Sequence, residues 1–460
     1  MPWTKKQLSI LAIVAITSFM GTFLISSINI ALPAIEKSFG LDAVTLSWVV
    51  TAFLLTMAIM LLPVGRWGDL TGIRRLFKAG VVLFTFSSVL CAFAPSGFWL
   101  IIFRLIQGTG AALTSTTGPA ILVSAFPPQQ KGRVLGISVS AVYLGLAFGP
   151  FFGGFLTQHL GWRSIFVVAT ILGFIVITIT YLYLGRDEIQ NKDNSNGMGL
   201  KGLIFYILGL TAMVYGSSVI PEVKGWLLIA GGLISLVLFW QFETRSPRPV
   251  INTKLFTQNR LFAYSNIAAL INYSATFAIV FLLSLYLQKI QSFSPREAGL
   301  ILVAQPVMMA LFSPIAGRLS DRIQPRYLAT IGMTMCTIGL ASFAFLGAFT
   351  PVGIIVGLLI WVGLGFAFFS SPNMNTIMSS VDRTKYGVAS GSAATMRVVG
   401  QIVSMTIATF FFALFFGGEA VENIENSLFL KAMKFGFFTF ALIAVAGIYF
   451  SYYRGRIERE

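Results

Sequence analysis

Apolar residues arrive along this chain in long, nearly uninterrupted blocks, and the polar residues collect in short segments between them. A helix rises about 1.5 Å per residue and the hydrocarbon layer of a bilayer is about 30 Å thick, so blocks of about 18 or more apolar residues read as membrane-spanning helices. The pattern predicts fourteen: 8–33, 44–64, 76–94, 98–125, 134–158, 164–185, 202–221, 225–242, 262–288, 298–316, 327–347, 351–377, 387–416 and 429–453. The first block follows "KKQLS" and is longer than the apolar core of about 7–15 residues found in a cleavable leader, so it reads as an uncleaved helix. The expectation is an all-α integral membrane protein with 14 transmembrane helices.

Composition agrees: 56% of the 460 residues are hydrophobic and 10% are charged, against about 25% charged in a soluble domain. The net charge of +16 could suggest nucleic acid, so its distribution matters. With both termini cytoplasmic, the inner segments hold 23 of the 32 Lys and Arg, the outer segments seven, and helices two. The 16 acids split nine to seven. An excess of Lys and Arg, not of acids, on one side is the signature of topology, in which cytoplasmic loops carry the positive charge. No nucleic-acid partner is expected; the lipid bilayer is. The predicted location is a cytoplasmic membrane, multi-pass. Cys91 and Cys336 each stand alone in an apolar block, and His159, the single histidine, falls at a helix end. Neither a disulfide, a metal site nor a cofactor is implied.

The charged stretch "GRWGDLTGIRRLF" (65–77) has an echo in "GRLSDRI", beginning at Gly317. Each follows a proline, Pro63 or Pro314, and each falls between the second and third blocks of a six-block set. The chain therefore divides into a six-helix bundle at 1–185, a linker with two extra spans at 186–261, and a second six-helix bundle with its tail at 262–460. A duplicated six-helix unit with parallel halves points to a transporter whose substrate path lies between the halves.

Residues 65–75 match G-x-x-x-D-x-x-G-x-R-R at Gly65, Asp69, Gly72, Arg74 and Arg75, and so the chain resembles the major facilitator superfamily. That resemblance implies the major facilitator fold, two six-helix bundles plus two inserted helices here. It also implies a conformational latch built on Asp69, Arg74 and Arg75, with Asp321 in the repeated segment. "GLAFGPFFGG" resembles the antiporter motif of drug exporters through Gly145, Gly149, Pro150, Gly153 and Gly154. "FRLIQGTGAA" resembles the fourth-helix motif of the same branch, placing Arg104 as a proton-linked arginine, with Gln107 one turn on. The two added spans point to fourteen-helix drug/proton antiporters.

The chain departs from that branch at Leu24, where its members commonly carry an acid in the first helix, and no other Asp or Glu lies well inside a block. Arg397 stands about ten residues into its block, near mid-membrane. An arginine there normally faces the bundle interior or a wet cavity. Arg104, nearer an outer end, could snorkel outward. Asn272, Gln305, Asn373, Asn375 and Gln401 could line the same path. The expected function is export of small hydrophobic or amphiphilic compounds in exchange for protons, by alternating access, as a monomer without ATP, since no phosphate-binding loop is present. A positive field around Arg397 should disfavour dications. Two alternatives remain open: a lipid or anionic-metabolite exporter, and a non-transporting sensor or scaffold.

Overall fold

A computed structural model describes residues 3–127, 130–185, 200–246, 253–320, 322–381 and 386–456. Among these no strand occurs. A bilayer offers no water to backbone N–H and C=O groups, so each spanning segment must satisfy them internally, as a helix does. The first group comprises α1 (Lys5–Phe39), α2 (Ala43–Thr71), α3 (Ile73–Ala92), α4 (Gly97–Ala125), α5 (Lys131–Leu160) and α6 (Arg163–Tyr183). Two further helices follow, α7 (Leu200–Ser218) and α8 (Val223–Arg245), and then a short α9 (Thr253–Gln258) that the hydropathy pattern did not predict. The second group is α10 (Arg260–Thr276), α11 (Ala278–Lys289), α12 (Pro295–Leu302), α13 (Ala304–Ser320), α14 (Pro325–Phe343), α15 (Val352–Ser379), α16 (Tyr386–Phe416) and α17 (Asn426–Tyr453).

Among the described residues, twelve segments, counting α10–α11 and α12–α13 as one each, are long and apolar enough to cross a membrane. The other two expected spans are α7 and α14, 19 residues each, whose first turns carry Lys201 or Arg326. α7 packs on α8, α2 and α16, and α14 packs on α15 and α17.

Helix ends are set by local chemistry. Thr4 and Gln7 form a reciprocal capping box at the start of α1, and Ser294 and Glu297 do the same at α12. Gly40, at φ +62°, ends α1. Interruptions have equally definite causes. Between α10 and α11 the N–H of Ala278 leaves the helical ladder and donates to Ser404 Oγ on α16 (3.0 Å); a side chain inserted into the ladder kinks a helix. Between α12 and α13, Pro306 cannot donate to Leu302, and the helix breaks beside it at Val303.

Small residues set how closely the helices approach. On α5, Gly149 and Gly153 face α1: a Cβ on Gly149 would meet Ser26 Cβ at 2.5 Å, and one on Gly153 would meet Ser27 Cα at 2.7 Å. Pro150 lacks an N–H, so the Leu146 carbonyl loses its helical partner, and Ser26 Oγ donates to it from α1 (3.3 Å). On α4, Gly108 abuts α2 and Gly110 abuts α3, so this helix wedges between them.

The added pair α7–α8 is held unequally. Tyr206 Oη donates to the Ala58 carbonyl (3.0 Å) and Trp48 Nε1 donates to Ser218 Oγ (2.8 Å), both tying α7 to α2. Toward α16 the contact is apolar, with Trp226 edge-on to Phe410. A groove of about 380 Å³, lined by residues including Met213, Ile229, Ile407 and Phe411, opens along that side.

Candidate substrate path between the bundles

Gln288 Nε2, near the end of α11, donates to the carbonyl of Ile30, near the end of α1 (3.0 Å), so the first helices of the two groups run toward the same face. We call it the far face, opposite the one that bears the start of α1. Three other hydrogen bonds join the groups on that side. Glu36 Oε1 accepts from the Glu422 backbone N–H (2.9 Å), Ala43 N–H donates to the Glu419 carbonyl (2.9 Å), and Thr409 Oγ1 donates to Ser47 Oγ (2.8 Å). Glycines bring the backbones together there: a Cβ on Gly299 of α12 would strike the Pro150 carbonyl oxygen of α5. The far face is sealed.

One further hydrogen bond between the groups lies near mid-membrane. Tyr143 Oη on α5 and Ser370 Oγ on α15 stand 3.5 Å apart. The Tyr273 hydroxyl on α10 approaches Ser370 and lies within electrostatic reach of Tyr143 and of Arg397 on α16. Arg397 is half-buried and makes no hydrogen bond or ion pair among the described residues. A cation at the bilayer centre costs about 2.5–3.5 kcal/mol on insertion scales. Every described Asp or Glu side chain stands at or near a helix end or in a loop, so no carboxylate offsets Arg397 at this depth.

Arg104 is placed very differently. It is 0% exposed and does not snorkel outward as its position in sequence allowed. Its Nε donates to the Val49 carbonyl (3.0 Å), its Nη1 to Gln107 Oε1 (2.6 Å), and its guanidinium lies 4.4 Å from the Phe53 ring centroid. Gln107 in turn donates to Ser88 Oγ (2.7 Å). The wedge position of α4, set by Gly108, brings Arg104 against α2 one turn away. Nη2 is buried without a hydrogen-bond partner.

Asn373, expected along the path, is spent elsewhere: its Oδ1 accepts from Arg454 Nη1 (2.7 Å) and its Nδ2 donates to the Ser265 carbonyl (3.1 Å), in a buried network at the tail of α17. Asn272 is buried against Met333. Asn375 donates to Ser320 Oγ (3.0 Å), and Gln401 is half-buried. Gln305 is buried with its Oε1 unpartnered, and Leu24 is completely buried. The 65–77 stretch is not a loop. α2 continues to Thr71, Gly72 turns the chain at φ +97°, and α3 begins at Ile73, putting Arg74 and Arg75 in its first turn. A glycine that adopts a positive φ replaces a loop by a single residue. The Asp69 side chain and all of Asp321 lie outside the described residues. Gly145, Gly149 and Gly153 face α1, whereas Gly154 faces Pro295 of the second group.

Sequence reasoning did not single out Tyr143, Tyr273, Ser370 or Glu36. Hydroxyls in apolar helices carry little signal, because most bond to their own helix, as Thr117 does to Leu113.

Two groups of long apolar helices, joined at one face and holding a polar cluster between them, are the architecture of a membrane carrier. The family profile described as Major Facilitator Superfamily matches residues 11–405, and the chain belongs to that superfamily. It is a multi-pass membrane transporter and not an enzyme. It is 32% identical over 419 residues to the riboflavin transporter RibZ of Clostridioides difficile (strain 630), covering 91% of this chain and 90% of that one. It is 30% identical to the drug efflux pump JefA of Mycobacterium tuberculosis (strain CDC 1551 / Oshkosh), covering 92% and 84%. A crystal structure of a D-xylose-proton symporter shares the fold, with a TM-score of 0.67 at 15% identity over 97% of each chain.

Proposed function

We propose that the chain exports small amphiphilic, drug-like compounds across a cytoplasmic membrane in exchange for protons, working as a monomer with both termini in the cytoplasm. The observation that carries this reading is the seal at the far face above a polar cluster at mid-membrane, an arrangement that exposes the cluster to one side at a time when the groups rock. Fourteen spans then cross the bilayer, α7 and α14 included, since each packs alongside helices that meet the length requirement. The moving bodies are 1–185 and 262–460, joined by the linker and its two spans at 186–261.

In this cycle Asp69, Arg74, Arg75 and Asp321 latch the face that bears the start of α1 when it closes. Gly65 and Gly72 allow the tight approach. Gly145, Gly149 and Gly153 hold α5 to α1, while Pro150 and Gly154 bring α5 against α12 at the far-face seal. Arg104 and Gln107 serve proton coupling, with the unpartnered Nη2 as the point at which a proton carrier or water would bond. The names of the two relatives, a riboflavin transporter and a drug efflux pump, support a ring-bearing organic substrate. Uptake of a fluorescent dye into inverted vesicles, with and without an imposed pH gradient, tests the proposal. Uptake that requires the gradient is expected, and none in either condition would overturn it.

A further inference from the structure

Two arginines stand inside the membrane, and the protein treats them oppositely. Arg104 is enclosed, bonded to a carbonyl, an amide oxygen and a ring face. Arg397 is left half-exposed with its donors unused. A cation held at such a depth without a partner is costly, and a fold that encloses one arginine so fully has the means to enclose another.

The Tyr273 hydroxyl lies within electrostatic reach of Arg397 and is linked through Ser370 to Tyr143. These hydroxyls can turn to donate to an anion, and among the described residues no carboxylate stands at this depth to compete for them. The groups come from both halves, Tyr143 from α5 and the rest from α10, α15 and α16. Beside them Phe366 packs edge-on against the Tyr273 ring, with centroids 5.4 Å apart, and supplies an apolar wall. Guanidinium forks bind planar oxyanions with two parallel hydrogen bonds, and such charge-assisted bonds are about twice as strong as neutral ones. We propose that Arg397, Tyr143, Tyr273 and Ser370 form a subsite for the anionic group of the transported compound, so that this carrier selects amphiphiles with one negative charge and a ring-bearing apolar body. The subsite straddles the seam between the halves, and a bound anion therefore bridges the bodies that move.

The inference deepens the exporter reading, but binding tests it separately from transport. Equilibrium binding to the purified full-length chain would use three ligands of matched size: 2-naphthoate (anion), 2-naphthamide (neutral) and N-methylquinolinium (cation). Wild type should bind naphthoate about tenfold more tightly than methylquinolinium. Arg397→Gln should lose about that factor for naphthoate and change naphthamide about twofold or less, because only the charge-assisted bond is removed. Arg397→Lys should keep part of the preference, and Tyr143→Phe should weaken naphthoate alone, by about threefold. Thermal midpoints of each variant establish that it is folded. A wild type that prefers the cation, or binds none of the three, overturns the subsite, as does naphthoate affinity unchanged in a folded Arg397→Gln. Charge-selective binding without flux in proteoliposomes would refute export and leave the subsite standing.

Discussion

Replacing Glu36 by Ala should unseal the far face. The Glu36 carboxylate, 4% exposed, takes the Glu422 backbone N–H at 2.9 Å across the seam between halves. A hydrogen bond to a charged group contributes about 1.5–3 kcal/mol. Three hydrogen bonds remain on that side, from Gln288 to Ile30, Ala43 to Glu419 and Thr409 to Ser47, so the fold should survive. The equilibrium between sealed and open far faces should then move toward open by about 10- to 150-fold, at about 1.4 kcal/mol per factor of ten. Spin labels on Lys37→Cys and Ser427→Cys would read the separation of the halves; both positions are exposed, and the native Cys91 and Cys336 are buried and should not react. A dominant short distance in the parent protein and a growing long-distance population in Glu36→Ala are expected. Identical distributions would show that the carboxylate does not hold the seal.

Two glycine substitutions should separate packing within a half from closure between halves. Gly153→Ala drives a methyl to 2.7 Å from Ser27 Cα and should cost about 1–3 kcal/mol, read as a lowered thermal midpoint. Gly299→Ala strikes the Pro150 carbonyl across the seam and should keep the midpoint while enriching the open far face by the same spin-label distances. Cross-linking Trp48→Cys to Ser218→Cys should leave transport running, because α7 rides on α2, whereas linking Trp226→Cys to Phe410→Cys should stop it. The reverse pattern would attach the added helices to the second bundle. Asp69→Asn should leave the protein in the membrane and cut transport strongly; a normal rate in the well-expressed variant would remove Asp69 from the latch.

Twelve of the fourteen expected span positions were legible in sequence, because hydrophobic length is a bulk property and needs no partner to be read. What lay beyond it needed tertiary detail. The interruption at Phe277 accompanies Ser404, 127 residues further on, whose hydroxyl takes the Ala278 N–H out of its ladder. No window of local sequence contains both. Arg104 read as the arginine able to snorkel outward and Arg397 as the deeper one, yet the packing of α4 against α2 encloses Arg104 completely, while Arg397 stays half-buried. Asn373 looked equally suited to a cavity until Arg454, past the end of the last helix, claimed its oxygen. The glycines of the 145–154 motif were legible as packing positions, but not their division: Gly145, Gly149 and Gly153 serve one neighbour and Gly154 another, because adjacent residues on a helix point about 100° apart.

The charge of the substrate and the source of energy are linked through the same residues. Moving one elementary charge through 100 mV is worth about 2.3 kcal/mol, whereas one unit of pH gradient is worth about 1.4 kcal/mol. Exchange of one exported monocation for one proton moves no net charge, and a potential adds nothing. Exchange of a monoanion for a proton moves two charges in the favourable sense, inner side negative, or about 4.6 kcal/mol per 100 mV by the same rule. A carrier that binds anions at Arg397 would therefore draw most of its driving force from voltage. It would also have less need of the first-helix acid that Leu24 replaces, since the potential drives the anion outward even without a proton. In proteoliposomes with a potassium-clamped potential and no pH gradient, naphthoate efflux should rise steeply with voltage and methylquinolinium exchange should not. Voltage-independent naphthoate flux, with a one-unit pH gradient giving the larger stimulation, would break the link between the unpaired arginine and the energy source.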